Sequence, residues 1–228
     1  MRLPAFRRAP AEYDERFVDT MASAYLERTP WTELRLEAVR ALVEPKAGER
    51  VLDLGCAAGA VSHFLSGLGC ETVGVDAEPL AIDKARELFP DLQFQLANVV
   101  RLPFEEATFD KAVAADLVEH LDDGSFAAML RETRRVLRPG GTLSIYTPNP
   151  KHPIERLKSR NLILAENPTH IGLRTATQLE AMLRRARFSV DVVDWRPSFF
   201  RGLRPIERAG GSRIESLRYR LCLRAKRA

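Results

Sequence analysis

From about residue 50 onward, short apolar runs alternate with stretches in which apolar residues return every three or four positions. That texture predicts βαβ units and a mostly parallel sheet. The strand candidates are VLDL at 51–54, ETVGVD at 71–76, LQFQL at 92–96, FDKAVAAD at 109–116 and GTLSIYT at 141–147. A helix is predicted over 124–137, where Phe126, Met129, Leu130, Thr133, Val136 and Leu137 trace one face until Pro139-Gly140-Gly141 stops it. Another is predicted from about 176 to 186, with Thr175 and Gln178 at capping-box spacing, and the strand-like runs FSVDVVDW and SLRYRLCLRA follow it. Ahead of the core, residues 11–45 have helical periodicity through Phe17, Met21, Ala24 and Tyr25, then Leu34, Val39, Ala41 and Leu42, with Pro45 as the stop. The expected organisation is an N-terminal helical lobe over 1–45 and an α/β core over 46–228, closed by a strand pair within 188–228.

Composition narrows the class. With 228 residues, 45% hydrophobic and 29% charged, the chain is long enough to hold a core without disulfides or a structural metal. Cys56, Cys70 and Cys222 are scattered and odd in number, and no CxxC pair or Cys/His cluster exists in the sequence, so no metal is assigned. Cysteine usage fits a reducing compartment, and no window approaches the ~18 apolar residues of a membrane span. A cytoplasmic location without membrane insertion is the expectation. Charge is uneven: 196–228 hold ten Arg and Lys against Glu207 and Glu215, whereas the first 195 residues carry a net −4. A basic tail suits either a solvated face, a strand pair, or an anchor for phosphates.

The segment VLDLGCAAGAVSHFLSGLG at 51–69 reads as strand, tight turn and helix. Gly55 and Gly59 stand where the backbone must turn sharply beside a ligand, and Cys56, Ala57 and Ala58 keep side-chain bulk small. A helix N-terminus there can meet a phosphate or a carboxylate. Asp53, just before the turn, repels a pyrophosphate but can pair with an ammonium, which favours a cofactor carrying an amino-acid moiety over a nicotinamide dinucleotide. Asp76 ends the second run, seventeen residues past Gly59, where a carboxylate can accept from both ribose hydroxyls. Asn98 follows the third strand and can read an adenine, and DLVEHL at 116–121 follows the fourth strand where ligands of open α/β sheets lie.

Taken in order, these residues resemble a class I S-adenosyl-L-methionine (SAM)-dependent methyltransferase of the small, ubiquinone-biosynthesis-like group. VLDLGCAAG resembles that family's glycine motif, VGVDAEP its acidic second-strand motif, and ANVVRLPF its adenine-contact stretch. FDKAVAADLVEHL, then RETRRVLRPGG through LSIYTPNP, then HIGLRTATQLEAMLRRARFSVDVV resemble the fourth-strand, fifth-strand and late-helix motifs, together covering roughly 45–195. The resemblance implies a Rossmann-like seven-stranded sheet with helices on both faces and its last strand antiparallel. It implies SAM as the cofactor, with Asp53, Gly55, Cys56, Ala57 and Gly59 near the methionine moiety, Asp76 and Ala77 at the ribose, Asn98 and Val99 at the adenine, and Asp116 and Leu117 above the methionine. The chain departs from the pattern twice: Ala57 replaces the usual central glycine and Asn98 the usual aspartate.

Methyl transfer from a sulfonium is an in-line displacement, so the protein chiefly aligns and desolvates the reacting pair. A base helps when the acceptor is a hydroxyl or a protonated amine, and histidine is poised for that task. His120, just past the fourth strand, and His170, in the segment the resemblance places in a substrate-side connection over 148–174, are the catalytic candidates. His63, inside the helix after the turn, reads as structural. Tyr13, Phe17, Tyr25 and Trp31 are candidates for lining an acceptor cavity, although packing of the lobe explains them equally. The expected function is methyl transfer to an oxygen or nitrogen of a small molecule such as a secondary metabolite, quinone or lipid-linked precursor. One rival is a tRNA or rRNA methyltransferase anchored by the basic tail, although no base-methylation motif is present; another is a non-catalytic regulator or scaffold keeping the fold.

Overall fold

The computed structural model describes residues 15–158, 169–198 and 202–228, with the side chains of 15–17, 21 and 158 left aside. Tyr13, the side chain of Phe17 and part of the 148–174 connection therefore lie outside the described residues. Seven strands form one sheet: β1 Arg50–Leu54, β2 Glu71–Asp76, β3 Gln93–Leu96, β4 Phe109–Ala115, β5 Leu137–Pro148, β6 Phe188–Arg196 and β7 Arg220–Arg227. Their order is β3-β2-β1-β4-β5-β7-β6, and β7 runs antiparallel to both its neighbours. The order reverses between β1 and β4, which pair in parallel with Val51 opposite Lys111. A crevice opens at the carboxyl ends of strands at such a switch point.

The central strands are covered on both faces, which is why VLDL, but for Asp53, and AVAA read as apolar runs rather than alternating ones. On one face, helix α2 (Pro30–Val43) sets Leu36, Val39, Leu42 and Val43 against Val51, Val113, Tyr146 and Cys222. On the other, α5 (Asp123–Val136) and α7 (Ala176–Arg185) bury Phe126, Met129, Leu130, Leu179 and Leu183 with the sheet. The helical periodicity of 11–45 resolves into α1 (Glu15–Leu26) and α2, and the second begins at Thr29, whose side chain accepts from the Thr32 amide before Pro30 takes the first helical position. The Thr175 and Gln178 capping box is present as expected. Helices α3 (Ala60–Ser66), α4 (Pro79–Leu88), α6 (Pro153–Lys158) and α8 (Arg204–Gly210) complete the described set.

The start of SLRYRLCLRA, expected to be strand, is a 3₁₀ turn over Glu215–Leu217, and β7 begins only at Arg220; two further differences concern β5 and the segment before β7. Helix α5 ends at Val136, and β5 starts at Leu137 rather than at the Gly141 of GTLSIYT. Pro139-Gly140-Gly141 is part of a bulged strand: the register against β4 shifts between Phe109 and Lys111, Gly140 has φ +80°, and a Cβ on Gly141 would stand 2.7 Å from the Asp110 carbonyl oxygen. The second difference is α8, between β6 and β7, which the sequence reading left without an element. Its seven residues are too few to show a periodicity.

The basic tail turns inward. Arg196 pairs with Asp194, Arg218 donates to the Gly211 carbonyl, Arg220 pairs with Asp116, Arg224 with Glu44 and Asp191, and Arg227 with Glu106 and the Leu137 carbonyl. Half of its ten basic residues are thus engaged within the chain, three of them along β7, while Arg208, Arg213 and Lys226 are exposed. No helix among the described residues is long and apolar enough to cross a membrane.

Candidate cofactor and acceptor site

The turn after β1 has the conformation its glycines predict. Gly55 and Gly59 take φ of +69° and +82°, and a Cβ at either would stand within 2.8 Å of Leu117 or Phe94. Ala57 between them adopts φ +45°, a left-handed conformation that an L side chain rarely takes. Its amide explains what holds it there, because it donates to Asp76 Oδ2 at 2.9 Å. The amide of Glu78 donates to the other oxygen at 3.0 Å, with Ala77 adding to the same ring of backbone donors. Burial pushes the Asp76 carboxyl above its ordinary value and these amides oppose the shift. The acid at the end of β2 is thereby tied to the glycine turn.

Asp53 lies beneath the turn rather than on its surface. It is buried, accepts from Ser62 Oγ of α3 at 2.7 Å, and is pushed up to about 6, chiefly by burial. Cys56 is buried and its thiol is raised by the same cause, so it lines the turn as a small apolar residue. Asn98 follows β3 beside Asp76, whose carbonyl accepts from the Ala97 amide. Its side-chain oxygen accepts from the Val100 amide at 3.1 Å, which fixes the plane of its amide, and Val99 packs into the core. Leu117 fills the space above Gly55. Asp53, Gly55, Cys56, Ala57, Gly59, Asp76, Ala77 and Asn98 thus collect around the carboxyl ends of β1, β2 and β3, with Asp116 and Leu117 at the end of β4.

Asp116 has left-handed backbone, φ +56°, and two cations that sequence reasoning missed. Arg35 of α2 meets its Oδ2 at 3.0 Å and also donates to the Ala115 carbonyl, while Arg220 of β7 meets Oδ1 at 2.8 Å. Arg220 is buried between the rings of Tyr146 and Tyr219. These partners stand 81 and 104 positions from Asp116 in the chain, and no local pattern announces them.

Beyond Asp116, a short 3₁₀ turn over Val118–His120 points Glu119 and His120 toward the loop that carries His170. Glu119 is buried, accepts from Thr147 Oγ1 at 3.0 Å and is pushed up to about 8 by burial and by Asp116, against the pull of Arg220. His120 is lowered by burial, and its Nδ1 lies 3.2 Å from the Thr169 carbonyl and 2.9 Å from the Thr169 hydroxyl. The two imidazoles meet edge to face with centroids 5.0 Å apart. One ligand atom from each of Glu119, His120 and His170 lies within 4.8 Å of the others. Arg174 locks the loop onto the turn. Its guanidinium donates to the carbonyls of Val118, Leu121 and Gly172 and to Asp123, and it stacks over Phe126. A Cβ on Gly172 would stand 2.0 Å from the Leu121 carbonyl oxygen, so only glycine lets the loop approach this closely.

His63 does what was expected of it, bonding Tyr25 and stacking on Phe89. Tyr25 is accordingly taken up in packing between α1 and α3, and Trp31 lies under the Arg35 guanidinium.

Residues 51–141 match the family model of a methyltransferase domain. An O-methyltransferase of Aspergillus sclerotiorum is 32% identical over 173 residues, covering 70% of this chain and 62% of that protein. A ubiquinone biosynthesis O-methyltransferase of Xanthomonas axonopodis pv. citri is 35% identical over 121 residues, covering 51% and 49%. The chain spans about half to three-fifths of the length of the curated relatives it matches. Among solved structures, a SAM-dependent methyltransferase of Thermotoga maritima, described as a possible histamine N-methyltransferase, superposes with a TM-score of 0.71 over 94% of this chain and 98% of that one at 18% identity. The ordered motifs, the β3-β2-β1-β4-β5-β7-β6 sheet and these matches agree: the chain belongs to the class I SAM-dependent methyltransferases, with SAM as the methyl donor of the family.

Proposed function

We propose that this chain moves the methyl group of SAM to an oxygen or nitrogen of a small-molecule acceptor. The observation that carries the reading is Asp76, half-buried at the carboxyl end of β2 and fixed by the amides of Ala57 and Glu78. A carboxylate held this way is preorganised to receive two vicinal hydroxyls. Gly55, Cys56, Ala57 and Gly59 line the methionine, Ala77 adjoins the ribose, Asn98 and Val99 flank the adenine, and Asp116 with Leu117 lies over the sulfonium. Asp53 supports the turn from below through Ser62. His120 and His170 face the acceptor.

Curated relatives named as O-methyltransferases favour an oxygen acceptor. The inward pairing of Arg218, Arg220, Arg224 and Arg227 favours a small molecule over an RNA, because an engaged guanidinium has less to offer a phosphate. Replacing Asp76→Ala is expected to weaken SAM binding by about 1–3 kcal/mol, the value of charge-assisted hydrogen bonds to two hydroxyls, with the far-ultraviolet dichroism unchanged. Calorimetric titration reads it, and an unchanged affinity removes the ribose assignment. The acceptor class is tested by following label from methyl-labelled SAM into panels of phenols, carboxylic acids, amines and bulk tRNA. Transfer to tRNA that collapses with rising salt would replace the small-molecule reading with the RNA one.

A further inference from the structure

We propose that Glu119, His120 and His170 form a binding site for a divalent transition-metal ion of the zinc class. The sequence offers no metal signature, because the ligands come from a turn and from a loop some fifty positions later. The fold brings one carboxylate oxygen and two imidazole nitrogens within 4.8 Å of one another. Two histidines and one carboxylate are a donor set suited to zinc, iron and cobalt in the divalent state, and three protein ligands leave positions open for another molecule.

What separates this trio from an ordinary hydrogen-bonded cluster is how each ligand is held. Thr169 engages His120 through Nδ1, by hydroxyl and carbonyl, and so leaves Nε2 as the nitrogen for an ion. A ligating histidine is commonly oriented in this way, by a carbonyl at its other nitrogen. Thr147 donates to Glu119 Oε2 and turns the carboxylate, and the Glu119 carbonyl accepts from the Gly172 amide, which ties the turn to the loop carrying His170. Arg174 reinforces that tie with bonds to Val118, Leu121 and Gly172. The two rings stand edge to face at 5.0 Å, an approach that two ligands of one ion can share.

The location gives the ion a task, and this part rests on the methyl-transfer reading. At the carboxyl end of β4 the ion can take an acceptor hydroxyl into an open position and lower its pKa. The hydroxyl proton leaves to solvent, the oxygen forms its bond to the methyl carbon, and the electron pair of the breaking carbon–sulfur bond returns to sulfur, which gives the neutral thioether. His120 and His170 then serve as ligands and not as the proton acceptors their sequence positions suggested.

Metal binding is tested without turnover. The full chain, stripped with a chelator and dialysed, is titrated with Zn²⁺ by calorimetry and with Co²⁺ by visible absorption, and SAM binding is measured on the same sample. One equivalent per chain is expected, with a Co²⁺ spectrum of the nitrogen- and oxygen-ligated type. His170→Ala and Glu119→Gln should each weaken binding by more than the roughly 10–100-fold that loss of an outer-shell partner costs. His63→Gln should leave it unchanged. His170→Ala, at a half-buried loop position, covers the case in which the Glu119 variant does not fold. No saturable binding, or equal affinity in the chain with His170→Ala, overturns the site. A chain that binds SAM but no metal refutes this inference alone, whereas one that binds metal but no SAM refutes the methyltransferase reading and leaves the metal site standing.

Discussion

Replacing Arg174→Met is expected to destabilise the chain by about 3–5 kcal/mol, a large share of the stability of an ordinary domain. The guanidinium is buried and gives its donors to three backbone carbonyls, those of Val118, Leu121 and Gly172, and to the Asp123 carboxylate. Methionine can replace the stem and some of the contact with Phe126, but it returns none of the hydrogen bonds. Each carbonyl left buried without a donor costs on the order of 1–3 kcal/mol unless the loop opens to water. Opening is the cheaper response, and it would carry His170 away from Glu119 and His120. Lysine should rescue little, because one ammonium cannot span carbonyls that a planar fork reaches together. Urea unfolding, with Zn²⁺ binding measured in parallel, reads both consequences. A loss below about 1 kcal/mol would mean that the loop is not locked by this residue.

The second large effect runs in the stabilising direction. Asp53→Asn is expected to raise the stability of the cofactor-free chain by about 3 kcal/mol at pH 8 and to leave it nearly unchanged at pH 4. The folded carboxyl sits at about 6, above the ordinary 3.8, so the folded state holds the proton more tightly than the unfolded state. At pH 4 the folded-state carboxyl is protonated and costs little. As pH rises from about 4 to 6 the buried group resists ionisation, stability falls, and the penalty is complete above the folded value. Asparagine removes that penalty and its side-chain oxygen can still accept from Ser62, so packing is retained. Urea midpoints at the two pH values decide it. An equal difference at both would show that charge burial is not the cause. The cost of keeping an acid here is what a site selected for cofactor binding rather than for stability would carry.

What was legible in the sequence divides along lines of distance. The strands β1, β2 and β4 were readable because burial on both faces leaves continuous apolar runs. The turn was readable because only small residues and left-handed glycines fit beneath Leu117 and Phe94. Asp76 was readable because strand and helix lengths fix its spacing from the turn. Residues 137–140 were misread because Pro and Gly stop helices but are tolerated in a bulged strand, and only pairing with β4 distinguishes the two outcomes. The Arg35–Asp116–Arg220 ion pairs and the Arg174 clamp were invisible because all their partners but Gly172 lie 51 to 104 positions away and no periodicity encodes them. The same holds for the meeting of Glu119, His120 and His170: the histidines were picked out by chemistry, but their shared geometry belongs to the loop closure that Gly172 and Arg174 make possible.

The central claim is that the crevice at the ends of β1 and β4 holds SAM, and the most direct measurement is calorimetric titration of the purified chain with SAM, with its demethylated product and with NAD. Saturable binding of SAM and of the product at one per chain, with no heat from NAD and with loss of affinity on Asp76→Ala, is the predicted result. A folded chain that binds neither SAM nor the product, or that binds NAD in their place, would contradict it.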